Sequence, residues 1–235
     1  MLNKLLNRFI LLCIRKSNEI TLTSCSLSLR ERVGVRGYNA QVISCILLSG
    51  LLTACASTPT NFYTLEAQSR PPAAITTASA KKLLIGIGPL TLPALLDRKG
   101  IVTRAENNSV HIAEFDQWAA PLKDNVIAVL SKNVAILQPD AIVRAYPWAV
   151  YGNVDYRVII DMSRFDTQLG KSANLEASWA IMEEKNHTTI SNGQTKLQQP
   201  LNDASYNSAA QGLSKLLSEL SQQLSLALAL QVPQK

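Results

Sequence analysis

Histidine is scarce in this chain: 235 residues hold two, His111 and His187. Neither has a cysteine nearby or a helical His-x-x-x-His partner, so no metal site is expected. Cysteine is scarce too and confined to one end, at Cys13, Cys25, Cys45 and Cys55. Nothing after Cys55 can form a disulfide or a cysteine-ligated metal centre. A Gly-x-Ser-x-Gly nucleophile elbow is missing. Ser79-Ala80-Lys81-Lys82 matches Ser-x-x-Lys in form only, since it lies in a polar loop and no Lys-Thr-Gly follows. The acidic residues are scattered, and spacing alone sets up no carboxylate pair for acid–base work. Gly86-Ile87-Gly88 lacks the third glycine of a dinucleotide fingerprint, and Pro89 blocks the helix that should follow. A strand with a bend or bulge is the better reading. These gaps argue against an enzyme.

The charge balance looks informative and is not. The whole chain carries +6. Of its 23 basic and 17 acidic residues, seven basic and two acidic precede Cys55, leaving 16 and 15 from Cys55 onward. The basic excess therefore belongs to the first 54 residues, and a nucleic-acid partner is not expected.

Those residues read as an export leader. An apolar run from Val42 to Leu52 ends in small residues and Cys55. It is too short for a finished bilayer-spanning helix and fits the apolar region of a signal peptide. Leu52-Thr53-Ala54-Cys55 resembles the lipobox of bacterial lipoproteins. That resemblance implies a diacylglycerol thioether on Cys55 and cleavage just before it. The thiol is the nucleophile for lipid transfer, and small neighbours admit the peptidase. Several acyl chains, at ~0.8 kcal/mol per buried CH2, anchor far better than one. Signal peptides usually run about 15–30 residues, and this leader is longer. A second apolar stretch near Phe9 is separated from the first by a Ser- and Arg-rich segment, Ser24 to Gly37. A mis-assigned start or an interrupted leader is the expected cause. The expected layout is 1–54 leader, 55–60 lipidated tether and 61–235 domain.

About 180 residues follow the cut, enough for one domain with a real core. Asn61 to Leu65 reads as a first strand, and Glu66 to Lys82 as a Pro- and Ser-containing loop. Leu83 to Leu92 is a strong strand, and Pro93 to Gly100 a turn carrying Asp97-Arg98. Ile101–Arg104 and Val110–Ala113 form an expected hairpin. Asp116 is expected to cap a helix entered through Trp118 to Pro121. Its apolar positions, Leu122, Val126, Val129, Leu130, Val134 and Leu137, recur at three- and four-residue steps. The helix should stop at Pro139. Ala141–Tyr146 is a strand closed by Pro147-Trp148. Tyr156–Phe165, Leu175–Ile181 and Thr188–Leu197 alternate as long antiparallel strands. A last helix, capped by Asp203 or Ser205, carries Leu213, Leu216, Leu217, Leu220, Leu224 and Leu228 on one stripe. The order predicts an α+β single domain: a mainly antiparallel or mixed sheet with two main helices packed on one face.

A spread of short motifs completes the pattern. They run from Phe62-Tyr63-Thr64-Leu65 through Ile87-Gly88-Pro89, Leu92-Pro93, Leu96-Asp97-Arg98 and Ile101-Val102-Thr103-Arg104. They continue with Ala113 to Leu122 (AEFDQWAAPL), Tyr146-Pro147-Trp148, Tyr156-Arg157-Val158 and Phe165-Asp166. In that order they resemble the ABC-type transport auxiliary lipoproteins, the PqiC/YmbA-like group. The resemblance implies an outer-membrane lipoprotein on the inner leaflet, facing the periplasm. It implies an MCE-domain protein as partner in lipid transport between membranes, and a docking role in place of catalysis. Ala56, where an Asp would favour inner-membrane retention, points the same way. A homo-oligomer is compatible with this reading. No cofactor is expected beyond the covalent lipid on Cys55. Rival roles are a structural or assembly lipoprotein of another envelope complex, or a lipid-modifying esterase. Asp97 and Arg98 either fix their turn by a charge-assisted hydrogen bond or leave Arg98 for a partner. Trp118, Tyr146 and Trp148 are either interface anchors or core.

Overall fold

A computed structural model describes residues 58–68, 82–107, 109–148 and 152–231. Among them, eight strands form one mixed sheet and two helices pack on it. The strands are β1 (Asn61–Tyr63), β2 (Leu83–Thr91), β3 (Gly100–Arg104), β4 (Val110–Trp118), β5 (Ala141–Ala145), β6 (Tyr156–Gln168), β7 (Ser172–Glu183) and β8 (Thr188–Pro200). Helix α1 (Leu122–Leu137) follows β4, and α2 (Tyr206–Gln231) follows β8. The α+β expectation holds.

Strand β6 is the spine. Antiparallel β7 lines one edge of it along its whole length, and β8 continues that meander. The other edge is shared by two parallel strands laid end to end. Strand β2 pairs from Tyr156 to Asp161, and β3 joins at Thr167. Outside β2 lies parallel β5, and outside β3 lies antiparallel β4, then parallel β1.

Period-two alternation decides which side of each strand is covered. Val158, Ile160, Met162, Leu175 and Ile181 are fully buried on one side, with Ile85 and Ile87 of β2. Both helices press on that side. The α2 leucines Leu213, Leu216, Leu217, Leu220, Leu224 and Leu228 are all at most 2 % exposed. From α1 come Val126, Leu130 and Val134, each 0 % exposed. The helices also touch each other, so they share one face. Among the described residues the opposite face carries no helix.

One local expectation changes. Strand β4 runs past Ala113 to Trp118, so Asp116 does not cap α1. The reason is tertiary. β1 pairs in parallel with Asp116, Gln117 and Trp118, and this ladder holds the segment extended. Helix α1 starts directly behind Pro121 without a side-chain cap bond. Pro has no N–H to lose there. At α2, Ser205 is the cap: its Oγ accepts from the Ser208 N–H at 3.1 Å. Asp203 supports it by accepting from the Ser205 N–H at 2.7 Å. No helix of the described residues is long and apolar enough to cross a membrane.

Candidate functional site

The helix-free face of the sheet has two regions. The first spans β5, β2, β6 and β7. Register places Arg144, Gly86, Arg157 and Met182 in one row across the four strands. Their neighbours Ile85 and Val158 point into the core, so this row points away from the helices. Gly86 leaves a gap in it, and Trp148 fills that gap. A Cβ built on Gly86 would lie 2.8 Å from the indole Cη2 and Cζ3. Tyr146 sits two residues earlier over Gly88, where a Cβ would meet the tyrosine Cβ at 2.5 Å. Gly88 also has φ +119°, a conformation that favours glycine. The two rings meet edge to face, centroids 5.3 Å apart and planes at 84°. Trp148 is half-buried, while Tyr146 is 45 % exposed. Arg157 is held by Glu184 at 2.8 Å. The result is a rigid aromatic step flanked by two guanidinium groups, with exposed Ile142 beside it. Such a surface suits a protein partner, since Trp, Tyr and Arg dominate interface hot spots.

The second region is a ladder of charge along β3, β6, β7 and β8. Asp166 is 2 % exposed and lies between two arginines. Arg104 Nε donates to its Oδ2 at 2.9 Å, and Arg164 Nε to its Oδ1 at 3.0 Å. Arg164 also lies 3.8 Å from Glu176, which Lys196 approaches to 3.0 Å. A buried carboxylate is tolerated only when so paired. The ladder cements the strands.

The sequence-selected residues divide accordingly. Tyr146 and Trp148 come together. Trp118 is 6 % exposed and belongs to the core. Asp97 and Arg98 are exposed in the β2–β3 turn. Among the described residues neither side chain has a hydrogen bond or ion pair. Backbone bonds hold that turn, Leu96 N–H to Pro93 O and Arg98 N–H to Leu96 O, both 2.9 Å. Cys55 lies outside the described residues. Missed by sequence reasoning were Gly86, Arg144, Arg157 and Asp166. A signal for the glycines existed: Gly86 and Gly88 share a face at spacing two, as do Tyr146 and Trp148.

Asp116, freed from capping, does other work. It accepts from the Tyr63 hydroxyl at 2.7 Å and from Asn61 Nδ2 at 3.1 Å. Burial, then the bond to Asp116 and that carboxylate's charge, push the Tyr63 phenol up to about 12. This knot pins β1, the strand next to the tether, to β4.

The sequence profile of the ABC-type transport auxiliary lipoprotein components matches residues 63–225. The chain belongs to that family. It is thus a lipoprotein component auxiliary to ABC-type transport. No curated protein matches it. Two crystal structures share the fold. An uncharacterized protein superposes with TM-score 0.59 at 16% identity, covering 72% of this chain and 98% of its own. A protein from Xanthomonas campestris gives 0.55 at 16% identity, covering 72% and 96%. A PelC dodecamer from Paraburkholderia phytofirmans overlaps more loosely, at 0.38 and 13% identity over 70% of this chain and 98% of its own.

Proposed function

We propose that this lipoprotein is a non-catalytic docking component of an MCE-type lipid transport system. In this reading Cys55 carries the acyl chains, and the domain hangs in the periplasm from the inner leaflet of the outer membrane. The helix-free sheet face receives the MCE-domain partner, with Trp148 and Tyr146 as anchors, and the assembly supports envelope integrity. The observation that carries the reading is the family match over residues 63–225. The exposed aromatic step between Arg144 and Arg157 supports docking over catalysis. Trp148 is already locked on Gly86, so binding would cost little side-chain entropy.

The test is crosslinking in cells followed by membrane fractionation. The tagged protein should co-purify with an MCE-domain protein and travel with the outer membrane. Recovery in the inner-membrane fraction, or with a different envelope complex, would refute it.

A further inference from the structure

The helix-free face has a second exposed apolar area, at its other side. Phe62 is 65% exposed, Ile112 41%, Phe115 38% and Val110 36%. Phe62 is aligned with Gln117 across β1 and β4. Phe115 lies two residues before Gln117, in the stretch of β4 where the register with β3 shifts, and is exposed there. Ile112 joins them through Gly100, which pairs with Gln117 and whose built Cβ would lie 3.0 Å from Ile112 Cγ2. Val110, two residues before Ile112, extends the stripe toward the β3–β4 hairpin tip.

What covers this stripe follows from where the chain comes from. β1 runs parallel to β4, so its N-terminal end, Asn61, points toward the Val110 end of β4. Five residues lie between Cys55 and Asn61, so six steps along the chain give a reach of at most about 20 Å. That is also about the length of β4 from Asp116 back to Val110. An acylated Cys55 is therefore tethered by chain length alone to within about 20 Å of the β1 end of the stripe. The β1 end is not loose either, because Tyr63 and Asn61 are bonded to Asp116. We infer that Phe62, Phe115, Ile112 and Val110 rest in the headgroup–acyl boundary of the bilayer, as a second membrane contact beside the lipid on Cys55. This rests on the proposed acylation of Cys55.

The contact would orient the domain. The Trp148 step lies on β5, β2 and the start of β6, whereas the stripe lies on β1 and β4. Arg157 and Thr167, which mark the two regions on β6, are ten residues apart in one strand, roughly 33 Å. Membrane and partner surfaces are thus separated on one face. A single acyl-linked cysteine would leave the domain to tumble. A second, apolar contact would present the aromatic step in a fixed direction.

The mature lipoprotein offers a direct test, since acylated Cys55 leaves no other thiol. Val110→Cys and, as a control, Lys185→Cys are each labelled with an environment-sensitive fluorophore. Lys185 follows β7, whose Glu183 pairs with Tyr156 at the opposite end of β6. The labelled proteins are reconstituted into phosphatidylethanolamine–phosphatidylglycerol vesicles bearing a spin label high on the acyl chain. Quenching should be at least about twofold stronger at position 110 than at 185, because an interfacial apolar face sits within about 5–10 Å of the headgroup boundary. Phe62→Ser with Phe115→Ser should abolish the difference while the protein stays on the vesicles; both side chains are exposed, and circular dichroism checks the fold. Equal quenching at the two positions overturns the inference. So does self-quenching at position 110 without any effect of the spin label, which would mean that a second copy covers the stripe. If the protein floats free of the vesicles, the anchor itself has failed. If it stays bound, pulls down its MCE partner and shows no quenching at 110, only the membrane contact is lost.

Discussion

The seat of Trp148 on Gly86 can be measured by a double-mutant cycle. Complete burial of a tryptophan makes its loss to alanine worth about 3–5 kcal/mol. Trp148 is half-buried, so Trp148→Ala is expected to cost about 2 kcal/mol. For a domain of about 180 residues that lowers Tm by roughly 4–8 °C. Gly86→Ala puts a methyl 2.8 Å from two atoms of the indole, and the ring must lift. The lost packing costs about 1–2 kcal/mol, of which restricting the unfolded chain returns about 0.4–1. With Trp148 gone there is nothing to clash with. Gly86→Ala should then stabilise by that same ~0.4–1 kcal/mol. The two substitutions should therefore couple by about 1–2 kcal/mol, well outside the ~0.3–0.5 kcal/mol within which independent sites add. Urea unfolding followed by circular dichroism on the four proteins gives the number. Additivity would mean that the ring does not sit on the glycine, and the rigid aromatic step would be lost as a docking anchor.

Two further outcomes are expected. Asp166→Asn leaves Arg104 and Arg164 facing each other without their carboxylate. Removing one partner of a buried pair costs about 3–5 kcal/mol, and solvent reaching the two arginines reduces this to about 2; a Tm change under about 2 °C would refute the clamp. Tyr63→Phe tests the β1 knot through pH. The Tyr63 phenol titrates near 12 when folded and near 10 when unfolded. A raised value means that its contribution is complete below about pH 10 and is lost as pH climbs toward about 12. The stability gap between the native protein and Tyr63→Phe should therefore shrink across that window. A gap that stays constant would show that Asp116 does not hold the protonated phenol.

The parts of the fold that were legible share one property, a local pattern strong enough to survive its surroundings. The six leucines of α2 recur on one stripe, and the structure buries all of them. The alternation of Tyr156, Val158, Ile160 and Met162 gave β6 its inner face directly. Pro139 stopped α1 because it cannot continue a helix. The part that misled was Asp116 to Trp118. An Asp ahead of a Trp-Ala-Ala-Pro entry has the local chemistry of a helix start. What keeps it extended is β1, more than fifty residues earlier, and a sequence window contains no trace of that pairing. The candidate site was half legible for the same reason. Tyr146 and Trp148 stood out as amphipathic aromatics at a strand end. Their partners Gly86, Arg144 and Arg157 come from three other stretches of strand, and only register brings them into one row. Asp166 ends the Phe165-Asp166 motif, yet its burial between two arginines follows from β3 lying end to end with β2 along β6.

Docking through the helix-free face is tested most directly by site-specific photocrosslinking in cells, with the crosslinker at position 148 and, for comparison, at exposed Leu226 on α2. An adduct with an MCE-domain protein from position 148, and none from position 226, is the expected result. Adducts from position 226 alone, or no MCE-domain adduct from either position, would contradict the account.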